Sequence, residues 1–133
     1  MSDLTQCTAE QLLALYRGGK ASPVQATQQV LQRIARLNPQ LNAFCLVDEE
    51  AALTSARLSE QRWQAHRHNG AAVGVLEGVP ASIKDLILTK GWPTLRGMET
   101  GSLPPGFTAP VSTSAMASGP ASPGTQPSRI AAQ

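Results

Sequence analysis

The chain has 133 residues, of which 15% are charged and 4% aromatic, with a formal charge of +2 at neutral pH. That length suits one ordinary domain and is too short for two with separate cores. The mild charge and sparse aromatics argue against a nucleic-acid surface, which clusters basic and stacking side chains on one face. No apolar run approaches the ~18 residues of a membrane span, and the opening MSDLTQCTAEQ lacks the basic and apolar regions of a secretory leader. The expectation is a soluble, cytoplasmic protein.

Thr8 is placed to cap a short first helix in which Leu12, Leu15 and Tyr16 share a face, and Gly18-Gly19 supplies the residue type that closes helices. Ser22-Pro23 combines an N-cap with proline at the first helical position, a clear start signal for a second helix. Its apolar stripe is Val30, Leu31, Ile34 and Leu37, and Asn38-Pro39 is read as its end. Ala43 to Val47 is a short apolar run that suits a buried strand, which makes Cys45 the better-buried of two free thiols, Cys7 being the other.

Asp48 is placed to cap a third helix, with Glu49 and Glu50 in the first turn where the helix dipole favours negative charge. Its stripe of Ala52, Ala56, Ser59 and Trp63 is mostly small and calls for a close neighbour. Helix is expected through about Gln64, followed by a polar loop from Ala65 to Gly74. That loop carries His66 and His68, but their spacing diverges on a helix and no acid or cysteine completes a ligand set, so no metal site is expected.

Val79 to Ile87 is β-rich and holds a single lysine, Lys84, in the run GVPASIKDLI. The plain reading is a strand-end lysine that packs its stem and keeps its head in water. The other is a lysine held for chemistry, because an ammonium in an apolar setting is costly unless it is paired or deprotonated. Alternation in an extended segment puts Asp85 on the opposite face from Lys84 and makes it a structural acceptor, while Ser82 shares the lysine's face as a bystander. Thr89 to Met98 is turn-rich, with Gly91, Pro93 and Gly97. From Gly101 onward Pro, Gly, Ser, Ala and Thr dominate and no period survives, so the ordered part is expected over 1–100 and a disordered or out-of-frame tail over 101–133.

Two separated blocks, LLALYRGGKASPVQATQQVLQRIARLNPQLNAF and GVLEGVPASIKDLILTKGWPTLRGMETGS, resemble the opening of amidase signature family enzymes. The resemblance covers about the first hundred residues and agrees in residue type and order. It implies an α/β chain, the N-terminal part of the amidase signature fold, with helices and the first strands of a mixed sheet. It also implies hydrolysis of amide C–N bonds without a cofactor or metal. In that family a serine attacks the amide carbonyl, a second serine on a cis peptide relays the proton, and a lysine acts as base and acid. By position this lysine is Lys84.

The departures are informative. Val75 stands where the family usually has proline and Met98 where a serine is common, both tolerable. The Gly/Ser-rich stretch that carries the family's relay and nucleophile serines does not occur in this sequence. The expectation is therefore an amidase-family hydrolase by descent, truncated and inactive alone. Small amides are the substrates of full-length relatives, nucleic acid is not expected as a partner, and uncovered apolar surface is open to self-association. The alternative is a small non-catalytic interaction module that binds a full-length relative or another partner.

Overall fold

Each helix begins where the sequence offers the backbone an alternative acceptor. In a computed structural model, which describes residues 3–85, 87 and 130–132, helix α1 spans Ala9–Arg17. The Thr8 hydroxyl accepts from the Gln11 amide at 3.2 Å while the Gln11 side chain accepts from the Thr8 amide at 2.8 Å, a reciprocal box that pairs two otherwise orphaned donors. Ser22 and Gln25 repeat the device at the start of α2, Pro23–Leu41, with Pro23 in its first turn. Asp48 caps α3, Glu49–Asn69, by accepting from the Ala51 amide at 2.9 Å.

The apolar stripes then meet. Leu12 and Tyr16 of α1 join Leu4, Ala21, Ala26 and Trp63 in one buried cluster, and Leu31 and Ile34 of α2 join Ala52 in a second. Because the first half of α2 meets the end of α3 and its second half meets the start of α3, the two helices run antiparallel. The small stripe of α3 answers its own demand for a close neighbour, since Ala52 and Ala56 are fully buried and α3 packs on α2. A turn at Leu4–Gln6 lies against α2, held where the Gln29 side chain accepts from the Leu4 amide at 2.7 Å and Arg33 donates to the Thr5 hydroxyl at 2.8 Å.

Three local expectations are corrected. Helix α2 runs through Asn38-Pro39 to Leu41, with Pro39 inside it, and stops where Asn42 adopts a left-handed conformation at φ 47° and donates its amide to the Asn38 carbonyl. The run Ala43 to Val47 is irregular apart from a bridge at Leu46, because the Asn38 side-chain oxygen accepts from both the Ala43 and Phe44 amides and turns the chain. Cys45 is consequently exposed, while Cys7 is half-buried against the first core cluster.

The third correction concerns the loop expected from Ala65. Helix α3 continues to Asn69 and ends at Gly70, φ 73°, with the basic His66, Arg67 and His68 in its last turn. There, positive charge meets the negative end of the helix dipole. Arg67 also donates to the Tyr16 carbonyl at 2.8 Å, near the end of α1.

Strand β1, Ser82–Lys84, pairs in parallel with β2, Ile130–Ala132, in the register Ser82 to Ile130, Ile83 to Ala131 and Lys84 to Ala132. The sequence reading did not pick out β2, which lies inside the stretch read as tail. The turn-rich passage 89–98, the boundary near Gly101 and the tail over 101–129 lie outside the described residues.

Candidate functional site

Lys84 closes β1, and its position is set by the segment that leads to it. Residues 74–78, Gly-Val-Leu-Glu-Gly, form a turn in which the Glu77 amide donates to the Gly74 carbonyl at 3.1 Å and the Val79 amide donates to the Leu76 carbonyl at 3.2 Å. Four side chains from the helices grip it. The Glu77 carboxylate accepts from the Ser59 hydroxyl at 2.6 Å and from Arg62 at 2.9 Å, both on α3. The Glu77 carbonyl accepts from the Trp63 indole at 3.0 Å, and the Gly78 carbonyl accepts from the Tyr16 hydroxyl of α1 at 3.3 Å.

The chain passes so close to α2 here that any side chain at position 78 would force a shift. A β-carbon on Gly78 would lie 2.6 Å from Cγ of Pro23 and 3.3 Å from Cβ of Ser59, and the residue adopts φ 77°. Glycine meets both demands, having no side chain and free access to positive φ. The ring of Trp63 lies 6.1 Å from that of Tyr16 in a tilted arrangement and 5.4 Å from that of His66 in an edge-on one. Burial, and secondarily the neighbouring Cys7, push the Tyr16 phenol well above the usual tyrosine range, which keeps it a neutral donor.

Beyond the turn, Val79 packs on the first core cluster, and Ser82 and Lys84 are exposed while Ile83 between them is half-buried. The two therefore share a face, as alternation requires. The Lys84 carbonyl accepts from the Ile87 amide at 2.9 Å. Asp85 is half-buried and is not without a partner. An open groove of about 330 Å³ runs alongside, lined by Val30, Ile34, Leu37, Leu41 and Phe44 on one flank and Pro80 to Ser82 on the other. Lys84 is not among its lining residues. Among the described residues no group of histidine, cysteine, aspartate or glutamate could hold a metal ion, and no helix is long and apolar enough to cross a membrane.

The shared face of Ser82 and Lys84 was legible in the sequence, whereas the contacts of Glu77 were not. A signal was present: Ser59 is a hydroxyl in an otherwise alanine-rich buried stripe, and a buried hydroxyl needs a partner.

The comparisons with known proteins agree with this architecture. A sequence profile of the Amidase family matches residues 25–104. The glutamyl-tRNA(Gln) amidotransferase A-subunit of Salinispora tropica is 41% identical over 97 residues, which are 73% of this chain and 19% of that protein. Its counterpart in Acidothermus cellulolyticus is 39% identical over 107 residues, 79% of this chain and 20% of that one. The chain thus spans about a fifth of the length of these curated relatives.

Among solved structures, a bacterial aryl acylamidase of the amidase signature enzymes aligns with a TM-score of 0.59 and 29% identity over 66% of this chain and 17% of its own. A protein from a vestigial complex linked to the origins of an s-triazine catabolic enzyme shares the fold at a TM-score of 0.58 and 22% identity, over 67% of this chain and 19% of its own. With the greater part of the chain inside the profile match and its helices superposing on an amidase signature enzyme, the chain belongs to the amidase family and its described part carries helices and the first strand of the amidase signature fold.

Proposed function

We propose that this chain is the lysine-bearing part of an amidase-family hydrolase, with Lys84 the lysine of a Ser-Ser-Lys triad, and that it does not hydrolyse amides alone. The observation that carries the reading is the run GVPASIKD at the end of a helical unit belonging to the family, with Lys84 closing a strand and facing outward. In the proposed reaction the nucleophilic serine attacks the amide carbonyl, the relay serine passes its proton toward the lysine, and the lysine returns a proton to the leaving amine. A lysine acting as base must be neutral at the moment of transfer, which desolvation inside an assembled pocket favours. In this chain Lys84 is exposed, and the Gly/Ser-rich stretch expected to supply both serines is missing from the 133-residue sequence.

The substrate class is a small amide, in keeping with relatives named as a glutamyl-tRNA(Gln) amidotransferase component and an aryl acylamidase. The proposed setting is the cytoplasm, with no cofactor. Leu41, Val75, Leu76 and Ile87 stand exposed and support self-association, which sedimentation at rising concentration reads as a growing mean mass. The role of Lys84 is tested by a chimera in which residues 1–104 of this chain replace the matching part of the Salinispora tropica protein. The chimera should hydrolyse glutamine in its complex, and its Lys84→Ala form should lose at least about a hundredfold, the lower end of general acid–base contributions. Equal activity of the two would refute the assignment.

A further inference from the structure

We infer that Glu77 is a positioning residue for Lys84, the centre of a latch through which α1 and α3, rather than strand pairing, set the direction in which the lysine strand leaves the helices. The inference rests on the proposed role of Lys84 only for its consequence; the latch itself stands on geometry.

Glu77 joins the helices through both of its ends. Its carboxylate, on a side chain only 13% exposed, takes the Ser59 hydroxyl and the Arg62 guanidinium, and its backbone carbonyl takes the Trp63 indole. These three donors stand at i, i+3 and i+4 of α3, so one face of one helix binds one residue. Hydrogen bonds to an ionised, sheltered carboxylate are the strong class, and a carboxylate this sheltered is costly to leave unpaired. Gly78, the next residue, is held to α1 by Tyr16 and is in contact with Pro23 at the start of α2.

The first two residues from that clamp toward Lys84 are constrained. Val79 is packed on the core, and Pro80 has its φ fixed by its ring. Among the described residues, strand pairing adds the three-residue register of β1 with β2. The lysine's approach is thus defined within residues that also make up the helical unit. Releasing Glu77 should free the arm while leaving the helices folded.

The test is amide and indole hydrogen exchange by NMR on the full 133-residue chain, comparing wild type with Glu77→Leu and Glu77→Gln. Glu77→Leu should accelerate exchange at the residue 77 and Val79 amides and at the Trp63 indole by about tenfold or more, with the amides of Leu31 and Ala56 changed less than about threefold. Glu77→Gln keeps an oxygen acceptor for Ser59 and Arg62 and should recover most of the protection. A second reading is taken at the lysine. With its amine ¹³C-methylated in a Lys20→Arg, Lys90→Arg background, the Lys84 resonance should shift in Glu77→Leu and return in Glu77→Gln.

If Glu77→Leu fails to fold, Ser59→Ala and Arg62→Met each remove one donor and should give smaller accelerations at the same sites. Unchanged exchange at the turn, or acceleration spread evenly over α1 to α3, overturns the latch. So does a Lys84 resonance that ignores Glu77 or a glutamine variant that behaves like leucine. None of these readings depends on catalysis, so loss of the latch and loss of the proposed role of Lys84 are separately visible.

Discussion

Thr27 lies fully buried in α2 with a hydroxyl that finds no hydrogen-bond partner among the described residues. A desolvated hydroxyl without a partner costs stability, and a methyl group of the same shape removes that cost. Thr27→Val should raise the unfolding free energy by about 1 kcal/mol, read as a higher urea midpoint; a lower midpoint would show that the hydroxyl is satisfied. Tyr16 carries the opposite lesson, because its hydroxyl is paired with the Gly78 carbonyl and its phenol is raised by burial. A phenol raised in the fold favours the protonated form, so its contribution is complete below the ordinary value of 10.0 and is lost as pH climbs through the raised one. Wild type should therefore lose stability between about pH 10 and pH 12, and Tyr16→Phe should be flatter there while about 1 kcal/mol less stable at neutral pH. Urea midpoints across that range decide it, and parallel curves for the two proteins would remove Tyr16 as the cause.

At the scale of elements, the segment 74–78 behaves as a docked strap whose fit depends on Gly78. An alanine there must take φ near 77° and bring its β-carbon to 2.6 Å from Pro23, so either the strap lifts or α2 shifts. Gly78→Ala should cost about 2 kcal/mol or more in thermal or urea unfolding, and an unchanged midpoint would contradict the close approach. The helices were legible in the sequence because their start signals are local: Thr8, Ser22 and Asp48 each cap the helix they precede. The stripe Ala52, Ala56, Ser59 and Trp63 was legible because periodicity is local too, and all four are buried. What was not legible depends on partners distant in sequence or on a neighbour's side chain. The partner of the small stripe is α2, the partner of Ser59 is Glu77, and the apolar run at Ala43 was turned aside by Asn38. The end of α3 was misplaced because its last turns are polar on the outside and buried only through Trp63, a pattern that composition alone reads as loop.

Across the described part of the molecule, the helices pack on one another and Lys84 closes the strand that follows them. The resemblance to amidase signature enzymes singles out that lysine, and the triad proposed for it calls for two serines in a Gly/Ser-rich stretch that does not occur in the 133-residue sequence. Members of a catalytic unit act jointly, so removing the nucleophile and the relay together leaves almost none of the rate. The direct measurement is ammonia release by the purified chain from benzamide, a fatty amide and glutamine, set against its Lys84→Ala form. The two should be indistinguishable from each other and from buffer; turnover by the unaltered chain that Lys84→Ala abolishes would contradict the inactive reading and point to a nucleophile within these residues.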